Sequence, residues 1–175
     1  MKPIFLLLVV LLATEFSARA QASLGRPAAG TPYDRYMGPV RSVLGRGGGP
    51  ASSVDEVRAE LRTARRFRYY FNPAEPYLPQ APEVTEAKKQ GDCKAKSLWL
   101  ATKMNTRGVR YVVGKAKAGD RLSHAWLLWS NGGVLIFLDP TMESDFVYAD
   151  RVSGRKLVPN YSYTASGSYI HLDVP

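Results

Sequence analysis

GDCKAKSLWLATKMNTRGVRYVVG, residues 91–114, holds the one cysteine of the chain at the point where one kind of element should begin. Gly91 permits a tight approach, Asp92 is a good N-cap, and Leu98, Trp99, Ala101 and Met104 supply apolar surface behind them. Gly108 stands where a left-handed residue usually ends a helix. The spacing predicts a helix over 92–107 and a strand over 109–115. Cys93 then falls in the first helical turn, among backbone N–H groups that have no intrahelical acceptor and at the positive end of the dipole. A free thiol of pKa about 8.5 is only about 3% thiolate at pH 7, and a helix N-terminus or a neighbouring imidazolium raises that fraction. Position supplies the first, so an imidazole must come from elsewhere.

Only His124 and His171 are available. His124 opens a strand-like run over 123–130, and Asp139 closes the next, over 133–139. Asn131-Gly132 between them is the dipeptide preferred in two-residue type I′ turns. A loop of those two residues pairs Ser130 with Gly133, Trp129 with Val134 and His124 with Asp139. Directly opposed residues share a face with Cβ atoms about 4.5–5.5 Å apart. A turn that also takes in Gly133 would part the two side chains. One face of the hairpin carries Trp126, Leu128, Leu135 and Phe137, the other Leu127, Trp129, Val134 and Ile136. Apolar residues on both faces mean that both are covered. Packing the cysteine helix on the His124/Asp139 face would aim its N-terminus at the imidazole. The result is Cys-His-Asp: nucleophile, general base and acid, and orienting carboxylate. The Cys93 N–H is a natural oxyanion donor by position, and the Gln90 side-chain amide is a candidate second donor. His171, between Ile170 and Leu172, reads as structural. One cysteine and two histidines make a poor zinc site, and no metal or cofactor is expected.

At these residues the chain resembles the transglutaminase-like cysteine proteins, including the bacterial transglutaminase-like cysteine peptidases. Residues 91–114 look like that family's nucleophile helix, glycine stop and following strand. SHAWLLW (123–129) and VLIFLDPT (134–141) resemble its His-bearing and Asp-bearing strands. The resemblance implies Cys93 as nucleophile, His124 as base then acid, and Asp139 as orienter. It also implies a papain/transglutaminase-like α+β fold, with the nucleophile helix packed on a mainly antiparallel sheet. Many members have an acidic residue two positions after the cysteine, where this chain has Ala95, and the small residue four positions after it is Ser97.

Outward from this centre the chain divides in three. Lys2, the apolar run Phe5–Ala13 and Ala18-Arg19-Ala20 read as a signal peptide over 1–20, too short to span a bilayer as a helix. Residues 21–50, rich in Gly and Pro, read as a flexible lead-in unable to hold a regular element. Residues 51–175 read as the transglutaminase-like domain. In it, Ser53 and Glu56 form a capping box ahead of the stripe Val54, Val57, Leu61 and Ala64. Arg58, Arg62, Arg65 and Arg66 flank that stripe as a solvated face. Phe67–Phe71 is strand-like, 72–90 reads as an irregular connection, and one or two strands are expected near the C-terminus.

The 175 residues carry 24 Lys+Arg against 15 Asp+Glu, a formal +9, of which +1 sits on residues 1–20 and +8 on the remainder. That composition excludes collagen-like and disulfide-stapled classes, and a single cysteine excludes an intrachain disulfide. The expected function is that of a secreted or periplasmic thiol acyl-transfer enzyme, a cysteine peptidase or amidase acting on a peptide or protein. It needs no nucleic acid and no stable membrane insertion. Two alternatives stay open: a transglutaminase using an amine acceptor, and an inert transglutaminase-like module binding an anionic envelope polymer. The oligomeric state is not legible.

Overall fold

The computed structural model describes residues 24–47, 52–104, 108–151 and 156–171; the signal peptide read over 1–20 lies outside them. Its centre is a helix, α4 (Cys93–Met104), where the sequence predicts one over 92–107. Cys93, Ala95, Lys96, Ser97, Leu98, Trp99, Leu100 and Met104 are all buried, so this helix is enclosed around most of its circumference. A helix buried on all sides needs no polar face, which explains its weak apolar periodicity.

One side of α4 rests on the sheet. The other sides meet three shorter or more amphipathic helices, α1 (Gly38–Gly45), α2 (Val54–Arg66) and α3 (Pro82–Lys88). Helix α2 begins with the expected capping box: the Ser53 hydroxyl accepts from the Glu56 N–H, and the Glu56 carboxylate accepts from the Ser53 N–H. Val57, Leu61 and Ala64 are buried, whereas Val54 is exposed. Arg58 is not simply solvated, since it pairs with Asp55 at 3.0 Å and Asp145 at 3.1 Å.

Seven strands form one antiparallel sheet in the order β1-β9-β8-β4-β5-β6-β7. These are β1 (Arg26–Ala28), β4 (Val109–Lys117), β5 (His124–Asn131), β6 (Val134–Leu138), β7 (Val147–Tyr148), β8 (Lys156–Tyr163) and β9 (Ser168–Ile170). A separate two-residue parallel pair joins β2 (Arg68–Tyr69) to β3 (Gln90–Gly91), just ahead of Cys93. The architecture is α+β with a mainly antiparallel sheet, as expected. Both faces of the β5/β6 hairpin are covered. Ala125, Leu127, Trp129, Ile136 and Leu138 join the cluster around α4. Trp126, Leu128, Leu135 and Phe137 join a second cluster with Val112 and Leu157.

Three sequence readings are corrected. First, residues 26–45 are not without regular structure, because they form β1, a 3-10 turn over Asp34–Tyr36 and α1. Pro39 falls in the first turn of α1, where a missing N–H costs nothing. Met37, Val40 and Val43 are buried in the main core, and Arg41 bonds Asp34 at 2.9 Å and Ser168 at 2.7 Å. Second, the irregular connection over 72–90 contains α3, with Pro82 at its start for the same reason. Third, the hairpin loop is Gly132-Gly133, at φ +57° and +82°, and Asn131 pairs with Val134. Two glycines take the left-handed conformations of a type I′ turn without Cβ strain, so Asn131 is left in the ladder. The pairing then moves by two residues: Leu127 faces Leu138, and His124 has no ladder partner on β6.

Core membership of the N-terminal segment has a measurable consequence. Met37→Ala should lower the unfolding free energy by about 2–4 kcal/mol in urea denaturation, as for a buried Met. A flexible lead-in would show a change within about 0.5 kcal/mol.

Candidate active site

Cys93 occupies the position its flanking residues dictate. Gly91 is needed because a Cβ there would come within 2.7 Å of the Ala95 Cβ. Asp92 caps the helix: its Oδ1 accepts from the Ala95 N–H at 3.0 Å and its carbonyl accepts from the Lys96 N–H at 3.0 Å. Its other oxygen accepts from the Lys94 ammonium, so the buried carboxylate is matched by a cation. Cys93 is therefore the first helical residue, 6% exposed and without a disulfide, at the wall of a cavity of about 690 Å³.

His124 opens β5, opposite Gly114 of β4. Its Nε2 bonds Asp139 Oδ2 at 2.6 Å, which leaves Nδ1 for the thiol side. Asp139 is 2% exposed, and its Oδ1 accepts from both the N–H and the hydroxyl of Thr141, at 2.8 and 2.7 Å. Burial alone would raise the Asp139 pKa, but the hydrogen bond and charge of His124, together with Thr141, hold it below the ordinary carboxylate value. Burial likewise works to lower the pKa of His124. Hydrogen bonding to Asp139 and Cys93, and the charge of both, outweigh it and raise the pKa to about 10. The imidazole thus keeps both protons throughout the neutral range. Trp126 stacks beside it, with centroids 5.7 Å apart and planes 29° apart.

The structure brings Cys93, His124 and Asp139 into one neighbourhood, although not by the route the sequence suggested. A two-residue shift in register preserves side-chain parity, so His124 and Asp139 remain on one face. They meet beyond the last β5/β6 ladder pair, where Asp139 has left β6. Helix α4 packs on the opposite face, that of Ala125 and Leu127; the Ser97 hydroxyl donates to the Ala125 carbonyl at 3.2 Å. The N-terminus of α4 reaches the imidazole because His124 is the end residue of its strand, where the sheet no longer separates its two faces. Gln90 is not brought to the cavity wall. Its side-chain oxygen accepts from Arg68, and its carbonyl accepts from the Gln80 amide at 3.2 Å.

Two residues were missed by sequence reasoning. Thr141 completes an Asx turn with Asp139, a spacing that Asp-Pro-Thr already shows. Tyr69 lines the cavity because β2 pairs in parallel with β3, setting Tyr69 beside Gly91. Tyr69 is 58% exposed, and partial desolvation with the nearby charges of Cys93 and Asp92 raises its pKa, so the phenol keeps its proton. No local pattern announces a two-residue parallel pair. His171, read as structural, is buried with its Nε2 2.8 Å from the Ser162 hydroxyl; burial and Arg110 lower its pKa to about 4.

No family model matches this sequence, and neither does any curated protein. Solved structures do. Legionella pneumophila LapG in its calcium-bound form aligns with a TM-score of 0.55 and 15% identity, over 90% of this chain and 86% of LapG. A further LapG structure aligns at 0.51 and 15%, over 92% and 88%. At that identity the likeness is one of fold: the chain shares the α+β arrangement of LapG.

The buried pair gives a pH signature. The raised His124 pKa contributes stability that is complete below pH 6.5 and lost as pH rises through about 10. The lowered Asp139 pKa contributes stability present above 3.8 and lost as pH falls further. Asp139→Ala should therefore cost most, about 3 kcal/mol, between about pH 4 and 6.5. Urea titrations from pH 3 to 10 should show that cost shrinking at both ends; a flat profile would contradict the pairing.

Proposed function

We propose that the protein is an exported thiol-dependent acyl-transfer enzyme, a cysteine peptidase or amidase acting through Cys93, His124 and Asp139. The observation that carries this reading is an imidazole bonded to a buried carboxylate on one side and facing the single cysteine on the other. Such an imidazolium is the counter-ion a thiolate needs and the acid a leaving amine needs. The Cys93 sulfur attacks a peptide or side-chain amide carbonyl, forming a C–S bond and a tetrahedral oxyanion. As the C–N bond breaks, His124 passes its Nδ1 proton to the departing amine and a thioester remains. The now neutral imidazole takes a proton from water, whose oxygen attacks the thioester and releases the acid. Asp139 holds the ring orientation through both steps.

The oxyanion needs preorganised donors. The Cys93 N–H has no intrahelical acceptor by position. Tyr69 takes the second role in place of Gln90, since its protonated phenol lines the same cavity. Export rests on the N-terminal pattern alone. Among the described residues no helix is long and apolar enough to cross a membrane.

LapG is calcium-bound in one of its structures. In this chain Ala95, which has no oxygen donor on its side chain, occupies the position two residues after Cys93. Among the described residues no group of three or more His, Cys, Asp or Glu side chains is arranged to hold a metal ion. No step of the mechanism passes through calcium, and EGTA should change the rate less than about twofold.

The test is incubation of the purified chain with a peptide library and a labelled primary amine, read by mass spectrometry. Cleavage that is abolished by Cys93→Ala, and lowered about 10²–10⁴-fold by His124→Ala, is expected. Tyr69→Phe should lower kcat by about 10²-fold. Amine incorporation without shorter peptides would make the enzyme a transglutaminase. Absence of both reactions, with Cys93 alkylation indifferent to His124→Ala, would leave a binding module.

A further inference from the structure

The cavity beside Cys93 is lined by aromatic and cationic side chains together. Its aromatic residues are Tyr33, Tyr69, Phe71, Tyr77 and Tyr111. Tyr77 is held by Tyr33 and Tyr36, with centroids 5.9 and 5.4 Å away. Its cations besides His124 are Lys94, which lies over the Phe71 ring at 5.1 Å, Lys115 and Arg121, and among the described residues no Asp or Glu lines it. These cations are not equivalent. Lys94 is matched by Asp92, and His124 by Asp139. Lys115 and Arg121 have no carboxylate partner among the described residues. The Lys115 ammonium donates instead to the Arg121 carbonyl at 3.0 Å. That bond fixes the β4–β5 connection, which runs directly into His124 and is held from the other side by Tyr33 Oη at 2.9 Å from Ser123 Oγ. Leu122, 83% exposed, stands beside Arg121 at the cavity mouth. Two cations with no carboxylate partner among the described residues are thus tied to the connection that leads into the imidazole, in a cavity also lined by tyrosines. The low-dielectric walls of a cleft focus the field of the charges that line it.

We propose that this cavity selects acidic peptide segments, with Lys115 and Arg121 receiving Asp or Glu carboxylates of the substrate and the tyrosines covering its apolar portion. This rests on the reading of Cys93 as the acyl-accepting nucleophile. Arg121 suits a carboxylate because its guanidinium donates in a planar fork, whereas Lys115 acts as a point charge. Both sit near solvent, so their effect belongs to selection and capture and is screened by salt.

The test compares Cys93 alkylation by iodoacetate, which is anionic, with alkylation by neutral iodoacetamide at pH 7. Charges common to every variant, including His124, cancel in comparisons of the rate ratio. The ratio should fall about fivefold in the double variant Lys115→Glu/Arg121→Glu, and in the parent protein it should fall as salt rises from 20 to 500 mM. Lys115→Arg and Arg121→Lys should retain it, which separates loss of charge from loss of fold. A ratio unchanged by the charge reversal would overturn the proposal. A Glu-rich peptide should protect Cys93 from iodoacetamide and a Lys-rich peptide should not; protection by polygalacturonate alone would overturn the peptide assignment in favour of an acidic glycan. These readouts need no turnover, so they fail separately from the nucleophile reading, which cleavage tests.

Discussion

A carboxylate taken almost wholly out of water, 2.6 Å from an imidazole nitrogen, constrains everything around it. An isolated buried charge costs several kcal/mol, so Asp139 must be answered on every side. His124 answers one oxygen, and Thr141 answers the other through two bonds. Carboxylate and donors alike are supplied where a strand ends: His124 as β5 begins, Asp139 and Thr141 after β6 stops. A regular ladder would commit the backbone groups that this corner uses for turning. The hairpin therefore supplies a rigid base, and the chemistry sits at its frayed end.

The same corner explains why α4 is so thoroughly enclosed. Its first residue must meet the imidazole, so its axis must run up to the edge of the sheet. Three helices and the sheet hold it there, and Gly91 lets the chain enter without collision. Lys96 is buried on this helix, where its ammonium donates to the Phe67 carbonyl, and burial lowers its pKa. The N-terminal segment belongs to this support. It buries Met37 and Val40 in the core around α4 and joins Tyr33 to the connection ahead of His124.

Much of this was legible in residues 91–141, because α4, β4, β5 and β6 each carry strong local signals: an Asp N-cap, a left-handed glycine and paired apolar runs. What failed was long-range or depended on competition between equals. Asn131-Gly132 and Gly132-Gly133 are both good type I′ dipeptides, and the ladder that pairs Leu127 with Leu138 uses the second. The choice moved the pairing by two residues and spared the parity, which is why the meeting of His124 and Asp139 survived a wrong register. The face on which α4 packs was misjudged because alternation places His124 with Trp126, and alternation loses its hold at a strand terminus. Glycines and prolines over 26–45 and Pro82 were read as breakers although Pro39 and Pro82 open helices. Tyr69 stayed hidden because a parallel pair of two residues leaves no period to detect.

The central claim is that His124 is held as an imidazolium between Asp139 and Cys93, and the two histidines of this chain allow a direct measurement. ¹⁵N–¹H NMR titration of the ring nitrogens should show His124 doubly protonated at pH 8 and losing its proton near pH 10, with Cys93→Ser and Asp139→Asn each moving that transition downward. His171, neutral down to about pH 4, provides the reference within the same spectra. A His124 ring that titrates near 6.5 and ignores both substitutions would contradict the account.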